Sequence, residues 1–583
     1  MKTWKNERML VPTKPLKKLP KRLMGVFDIE TDGIGGDYIY GGAKIGDGHV
    51  VYFKTMDDLV DHIFKNNDVI WYAHNGGGYD CKYMFKSKRL IKRLDNGWGC
   101  RIITSGKSIV IGLIFNRLDD EENEIKIEIR DSYKLSGLSL DKSAKAFKVH
   151  EKKSGSINFD KEKFDPTNPV HIEYLESDII ACYEFVNKFR ELVFDKFGCG
   201  IGWTAPSTAV KAFQNTLKVP YIRINEHTEE FIRLAYYGAM TRPGKLSTGN
   251  CTYYDRNSAY ASIMKENLPA GNAYCVKEFD KNNPGFYNIK VECPQDVKLT
   301  VIPMRTKTGV IFPTGKFETY ASSDEIKLAM KLGYRIEVIK GYIFLRSEPV
   351  CKEFIEKCES LRHEDYFGPI GELAKLIQNA LYGKFGSKPE GEEVFISNYG
   401  AFGARLISDP NGKINLWSRI EKRQAPYMHI EWAAWITARE RVALAEAILA
   451  SGVENFVYCD TDSVITEGKL PDDMVGKEYG KWKIVKNIKM AVVCGPKTYG
   501  IVMMNGEDES KCKGIPRRLI KYQDIKSSAD GNHPKVLFDS TTSLIVGIKS
   551  GKPIGVQIER EISNPYSSTG WVLENNRYMP INI

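Results

Sequence analysis

The stretch Phe456–Val464, FVYCDTDSV, sets two carboxylates, Asp460 and Asp462, one residue apart inside an apolar run. An Asp-Thr-Asp turn between two strands is ordinary turn chemistry, so one such stretch decides little. A second does the same: Met24–Thr31, MGVFDIET, places Asp28 and Glu30 one residue apart at the end of an apolar run. Residues i and i+2 of a strand share a face, so Asp28 and Glu30 would project together. Burying two unpaired anions side by side is expensive, and the usual remedy is a divalent cation held by further oxygen ligands.

Composition narrows the classes that could use such sites. At 583 residues the chain is too long for one compact core and predicts several folding units. Its 42% hydrophobic and 27% charged residues are those of a large soluble globular protein. No apolar run approaches the ~18 residues of a membrane-spanning helix, and no secretory signal is evident. A cytoplasmic location is expected, that of the host cell if the gene is viral or plasmid-borne. Twelve scattered Cys with no C-x-x-C pair argue against a zinc site and a disulfide framework. The net charge is +10, but residues 1–23 hold eight Lys or Arg against the single Glu7, which leaves about +3 for the body. That basic arm reads equally as a solvated tail or as a grip on a polyanion.

There is no internal repeat, so divisions come from shifts in pattern. After the arm, residues 24–197 mix strand-like runs (VFDIET, SIVIGLIF, IKIEIRDSY) with a helical stretch from 171 to 196, as an α/β domain would. Residues 198–208, GCGIGWTAPST, read as a linker into a second domain, 209–583. Within it, 271–345 is strand-rich and 349–384 helical. Residues 387–426 read as an inserted β region, with a hairpin-turn signal in LISDPNGKINLW. A long helix is expected over 429–451, and strand and turn again after 497.

More acids follow the first pair. YAHNGGGYD carries Asn75 and Asp80 around a glycine-rich turn, and YLESDIIACYEF carries Tyr174 and Asp178 at i and i+4 on one helical face. Asp28, Glu30, Asp80 and Asp178 would form a cage for two hard cations. Two such ions about 4 Å apart activate a water and stabilise a leaving oxygen in phosphodiester hydrolysis, and Tyr174 could position that water. The second pair has a parallel context. Asp255, in YYDRNSAY, is the natural partner of Asp460 and Asp462 across a sheet. In LAKLIQNALYGKFG, Lys375, Asn379 and Tyr382 fall in one narrow stripe, with Leu373, Leu376, Ile377, Ala380 and Leu381 opposite. A Lys aimed at such a site neutralises triphosphate oxygens, and an aromatic ring beside it can contact a base.

The first set, Asp28-Ile29-Glu30, Asn75 to Asp80 and Tyr174 to Asp178, resembles the motifs D-x-E, N-x-x-x-[FY]-D and Y-x-x-x-D of the proofreading 3′–5′ exonuclease domain of DNA polymerases. One extra residue separates Asn75 from Tyr79. The second set resembles motifs A, B and C of the family B DNA polymerases, D-x-x-S-L-Y-P, K-x-x-x-N-S-x-Y-G and Y-x-D-T-D-S. Motif C is matched in full by Tyr458 to Ser463; Ala259, Ala261 and Ala380 replace the usual Leu, Pro and Ser.

The resemblance implies a multidomain α/β and α+β fold: a ribonuclease-H-like exonuclease domain (24–197), then a right-hand polymerase domain. In that domain the palm would cover about 209–270 and 427–500, the first insertion 271–345, the fingers 349–386, the second insertion 387–426 and the thumb 510–583. It implies Mg²⁺ as cofactor, two ions per active site with Mn²⁺ as substitute. Asp255 and Asp462 would be direct metal ligands with Asp460 supporting them, and Asp28, Glu30, Asp80 and Asp178 the ligands of the other site. Tyr260 would exclude a 2′-hydroxyl. Lys375, aided by Arg362 or His363, would hold the triphosphate, and Asn379 and Tyr382 would line the nascent pair. DNA contacts would fall to Asn75, Tyr79 and Ser132, to Tyr236, Gly238 and Ala239 (the Y-x-G-[GA] element), and to Lys497 and Tyr499 (the K-x-Y element). Tyr133 stands where the Leu of a Ser-Leu pair is usual, and the assisting exonuclease lysine is open among Lys152, Lys153 and an alignment on Ser154.

The short length and the spacings, 120 positions from Asp255 to Lys375 and 85 from Lys375 to Asp460, favour the protein-primed branch, of phage phi-twenty-nine type. Expected partners are DNA template and primer, dNTPs, a terminal protein primer and a single-stranded DNA-binding protein, with no membrane and a monomeric state. A nucleic-acid-primed family B enzyme is the alternative; from another class, a nuclease or DNA-binding scaffold with an inactive polymerase half.

Overall fold

The structure is a computed structural model that describes residues 8–105, 109–150, 162–408, 414–550, 555–562 and 570–583. Two large sheets organise it. The first has ten strands, with Met24–Thr31 paired antiparallel to Tyr38–Ile45 and parallel to Ile70–Ala73, which in turn runs parallel to Glu124–Asp131. Alternation along Met24–Thr31 divides its side chains between two cores. Val26 packs in the cluster that holds Leu175 and Ile179 of the helix Pro169–Phe197, whereas Phe27 and Ile29 pack with Leu59 and Ile63 of the helix Met56–Lys65. Asp28 and Glu30 follow Val26, so the period of two aims them at the helix that carries Tyr174 and Asp178. That helix starts with the Asn168 side chain accepting from Val170 N–H and ends at Gly198, whose φ of 65° suits a residue without a Cβ.

The second sheet has seven strands, in the order Thr241–Pro243, Phe456–Asp460, Ser463–Thr466, Ser247–Arg256, Trp482–Gly495, Thr498–Met503 and Asp508–Lys511. Its first half packs on Ile430–Ala450, the long helix expected from the sequence. This helix is buried on nearly all sides over Ile430–Ala438. Helices Lys352–Glu364 and Pro369–Phe385 pack on each other over the stretch expected to form the fingers. The first insertion is a four-stranded sheet, Leu268–Val276, Arg335–Glu348, Gly285–Cys293 and Gly315–Ser322, closed by the helix Ser323–Lys331.

Three segments depart from the sequence reading. The inserted β region does not stand apart from the first domain: Glu390–Ile396 pairs antiparallel with Gly99–Ser105, so the insertion supplies three strands at one edge of the ten-stranded sheet. Arg101 bonds Glu393 across the seam at 2.7 Å. Composition showed a hairpin but not that its outer strand would find an open edge; the turn of that hairpin, 409–413, lies outside the described residues. The arm, where described, is not a free tail. Met9–Leu10 pairs with Tyr221–Ile222, Leu10 is fully buried, and Thr13 and Leu16 N–H groups donate to the carbonyls of Gln214 and Gly198. The end of the chain leaves the thumb position and returns to the palm sheet: Trp571–Glu574 and Arg577–Pro580 form a hairpin whose Tyr578 hydroxyl donates to Val493 O at 2.6 Å.

All twelve cysteines are thiols, buried except Cys275 and Cys512. Among the described residues no helix is long and apolar enough to cross a membrane.

Candidate active sites: two carboxylate clusters

The palm cluster grows from a tight turn. Asp460 ends one strand and Ser463 begins the next, with Thr461 at φ 68° between them. A β-branched residue there costs on the order of 1–3 kcal/mol and persists only when its surroundings hold it. Thr461 N–H donates to Met240 O, and Thr241 Oγ1 donates to Asp460 Oδ1 at 2.9 Å. On the adjoining strand Asp255 stands opposite Ser463, and Arg256 N–H donates to Asp462 O at 2.8 Å. Asp255 and Asp462 are therefore neighbours across the sheet, as expected.

The two acids of the turn have opposite electrostatics. Burial works to raise the Asp460 carboxyl, but Lys497 Nζ at 3.0 Å, the Thr241 hydroxyl and Lys511 Nζ at 3.4 Å hold it below its usual value. Asp462 is pushed up to about 6 by burial, then by Asp255 and Asp460. Lys483 Nζ lies 2.9 Å from Asp255 Oδ1. Behind them Glu440, fully buried on the long helix, pairs with Arg256 and is pushed up to about 7 by burial and by Asp462 and Asp255. Pattern reading missed Lys483, Lys511 and Glu440. A charged residue inside the otherwise apolar face of ITARERVAL was the signal for Glu440.

Around this floor the fingers helix presents its expected stripe. Lys375 and Asn379 are exposed, and Lys375 lies 3.8 Å from Glu372. Tyr382 stacks on Tyr260 with ring centroids 4.0 Å apart. Arg362 is turned inward: its Nη1 donates to Ser258 Oγ at 2.7 Å and to the Tyr479 hydroxyl at 3.0 Å, and Tyr479 donates to the fully buried Gln378. His363 is exposed. Tyr236, Gly238 and Ala239 form a loop whose carbonyls at Tyr237 and Gly238 accept from the buried Arg441, itself paired with Glu325 at 2.8 Å. Lys497 reaches the site, whereas Tyr499 is buried against Tyr458.

In the first sheet Asp80 opens the short helix Asp80–Met84 directly after the glycine turn. It is pushed up to about 7, by burial and by Asp131, and its Oδ1 is buried without a hydrogen-bond partner. Asp28 lies close enough to influence Cys182, as do Asp80 and Asp131. Asp178 is buried and Tyr174 half-buried on the facing helix. Asn75 is exposed at φ 60°, and the Tyr79 hydroxyl bonds Thr31 and donates to Gly33 O. Ser132, expected at a DNA contact, lies inward. It is fully buried and bonds His74 Nδ1 at 3.0 Å, so the pair acts as a prop beneath the turn. Lys152, Lys153 and Ser154 lie outside the described residues.

Neither cluster is a finished cage: among the described residues no three acidic, His or Cys side chains gather closely enough to hold a metal ion by themselves. The unpartnered Asp80 Oδ1 and the raised Asp462 carboxyl are oxygen donors that a hard cation would satisfy.

The architecture joins a ribonuclease-H-like module with its own carboxylates to a right-hand module with a second set. A family model, DNA polymerase type B, organellar and viral, matches residues 167–409. A probable DNA polymerase of Neurospora intermedia is 30% identical over 400 residues, 62% of this chain and 41% of the relative. The DNA polymerase of Bacillus phage phi29 is 27% identical over 441 residues, 70% of this chain and 72% of the relative. The structure of phi29 DNA polymerase with primer-template DNA and incoming nucleotides aligns at a TM-score of 0.75 and 21% identity, over 93% of this chain and all of that one. The chain thus spans about two-fifths of the Neurospora relative. Over these stretches the chain is similar to family B DNA polymerases of the organellar and viral type, and its fold is that of the phi29 enzyme.

Proposed function

We propose that this chain is a template-directed DNA polymerase with a 3′–5′ exonuclease, extending DNA from a terminal-protein primer. The observation that carries the reading is the unequal pair in the palm turn, where Lys497 and Lys511 neutralise Asp460 while Asp462 faces Asp255 with a raised carboxyl. One acid of the turn is thereby given to holding the structure and the other left for a cation.

Two divalent cations, Mg²⁺ in this reading, supply Lewis acidity and charge compensation at each cluster when bound. Asp255 and Asp462 would hold them in the palm, and Asp28, Glu30, Asp80 and Asp178 in the first domain. Lys375, exposed on the fingers helix, meets the triphosphate, and the stacked Tyr260 and Tyr382 form the floor under the sugar, where a 2′-hydroxyl would collide. Tyr174 orients a water at the exonuclease cluster. Template and primer run between the Tyr236–Ala239 loop, whose next residue Met240 accepts from Thr461 N–H, and Lys497, which binds Asp460 in the same turn. A single-stranded DNA-binding protein would keep the displaced strand extended.

The test is incubation with labelled dNTP, Mg²⁺ and the candidate terminal protein of the same replicon, beside an oligonucleotide primer-template. Covalent labelling of the protein is expected. Extension of the oligonucleotide alone would replace the protein-primed reading with the nucleic-acid-primed one, and no incorporation on either would overturn the polymerase.

A further inference from the structure

A cavity of about 420 Å³ lies away from both carboxylate clusters, where the docked arm crosses the first domain, the linker and the start of the second domain. Its size is within the range of small-molecule sites, about 300–1,000 Å³. The arm supplies Leu16, Leu19 and Leu23, the first domain Ile70 and Tyr72, and the linker Ile201. Leu16 and Leu23 remain 43% and 45% exposed although the arm is hydrogen-bonded in place. They front a cavity instead of a packed surface, so filling it would remove apolar area from water.

The charges in the same walls do not balance. Arg130, Arg190 and Lys211 line the cavity. The Tyr72 hydroxyl lies in the field of Arg130 and Arg190, and Lys211 in that of Arg130, so the three cations share one space. The nearby carboxylate is Glu128, which already serves Lys126 at 2.8 Å, Arg130 at 2.5 Å and Arg22 at 3.4 Å. Among the described residues neither Arg190 nor Lys211 meets a carboxylate. Arg190 Nη1 donates to Arg22 O and Lys211 Nζ to Ile201 O, and Arg190 Nε is buried with no acceptor. Arg130 and Arg190 are half-buried and Lys211 is exposed at the rim, so an anion seated among them would gain charge-assisted hydrogen bonds without displacing an existing carboxylate from Arg190 or Lys211. A carboxylate monoanion would answer one of them, whereas a phosphate dianion answers two or three.

We infer that this cavity binds an organic phosphate, with its dianionic head among Arg130, Arg190 and Lys211 and its apolar body against Leu19, Leu23 and Ile201. Because arm, first domain, linker and second domain each contribute a wall, the bound molecule also fastens the arm across the domain junction.

The test uses the full chain in EDTA, which suppresses phosphate binding through metal at the two carboxylate clusters. Calorimetric titration compares inorganic phosphate, dAMP and hexyl phosphate. At least one organic phosphate is expected to bind about tenfold or more tightly than inorganic phosphate. Arg190→Met and Lys211→Met should each weaken it about tenfold or more, and Lys211→Arg should retain it. Tighter binding of dAMP identifies a nucleotide site, and tighter binding of hexyl phosphate an alkyl phosphate site. Tryptic cleavage of the arm after Lys14, Lys17, Lys18 and Lys21 should slow when the organic phosphate is present. Unchanged melting temperatures exclude misfolding of the variants; should either methionine variant melt early, the slowed cleavage in the wild-type chain and in Lys211→Arg decides. Equal binding of all three probes, no binding, or binding unaffected by both methionine variants would overturn the inference.

Discussion

The two carboxylate clusters look alike as strings of residues and differ in what surrounds them. In the palm the acids stand among lysines: Lys483 on Asp255, Lys497 and Lys511 on Asp460. In the first domain Asp80 faces another buried acid, Asp131, whose own cation, Lys134, is 3.5 Å away on the far side. In the proposed reading the palm lysines can turn toward a tetra-anionic nucleotide, while the buried Asp80 carboxyl beside Asp131 would be relieved by a bound cation. The comparison teaches that similar motifs are given different electrostatic settings by charges tens to hundreds of residues away.

The comparison breaks most sharply if the clusters are not separable. Asp462→Ala should lower nucleotide addition on the order of 10³-fold or more while 3′ trimming of single strands continues; loss of both in primer assays would mean that the two modules are not independent. Asp28→Ala with Glu30→Ala should do the reverse, and persistent trimming by that double variant would remove the first cluster from the exonuclease. A smaller effect, about 10- to 100-fold, is expected in nucleotide addition alone from Glu440→Gln or Lys483→Ala, measured as kcat/KM for dNTP. An equal loss of trimming would show that these residues serve folding generally.

The smallest effect is on stability. Asp462 and Asp80 have carboxyls raised to about 6 and about 7, so each binds its proton more tightly folded than unfolded. Their contribution is full below about pH 4 and is lost as pH rises through 6 to 7. In EDTA the melting temperature should therefore carry a downward component between pH 5 and pH 8. Mg²⁺ should raise it at pH 8 and not at pH 5. A Mg²⁺ effect of the same size at both pH values, by scanning calorimetry, would mean that these carboxyls do not receive the ion.

Much of the site was legible because its determinants are local. The i, i+2 spacing of Asp28 and Glu30 and of Asp460 and Asp462, the i, i+4 spacing of Tyr174 and Asp178, and the stripe of Lys375, Asn379 and Tyr382 follow from strand and helix periods that any sequence displays. The long helix expected over 429–451 is found as Ile430–Ala450. Gln378 shows where the period fails: a polar residue on the apolar face is tolerated because Tyr479 and Ser258, about 100 positions away, satisfy its amide.

What the chain's order of residues could not express is which distant groups would meet. Ser132 follows Asp131 as a ligand-binding Ser would, yet it sits beneath His74. The inserted hairpin completes the first domain's sheet, and the basic arm becomes a strap over a cavity. Backbone periods act over a few residues and are written in the sequence. Coulomb forces and edge-strand pairing act through space, so the protonation of Asp462 and Asp80, the partners of Glu440 and the docking of the arm arise only when the chain has closed upon itself.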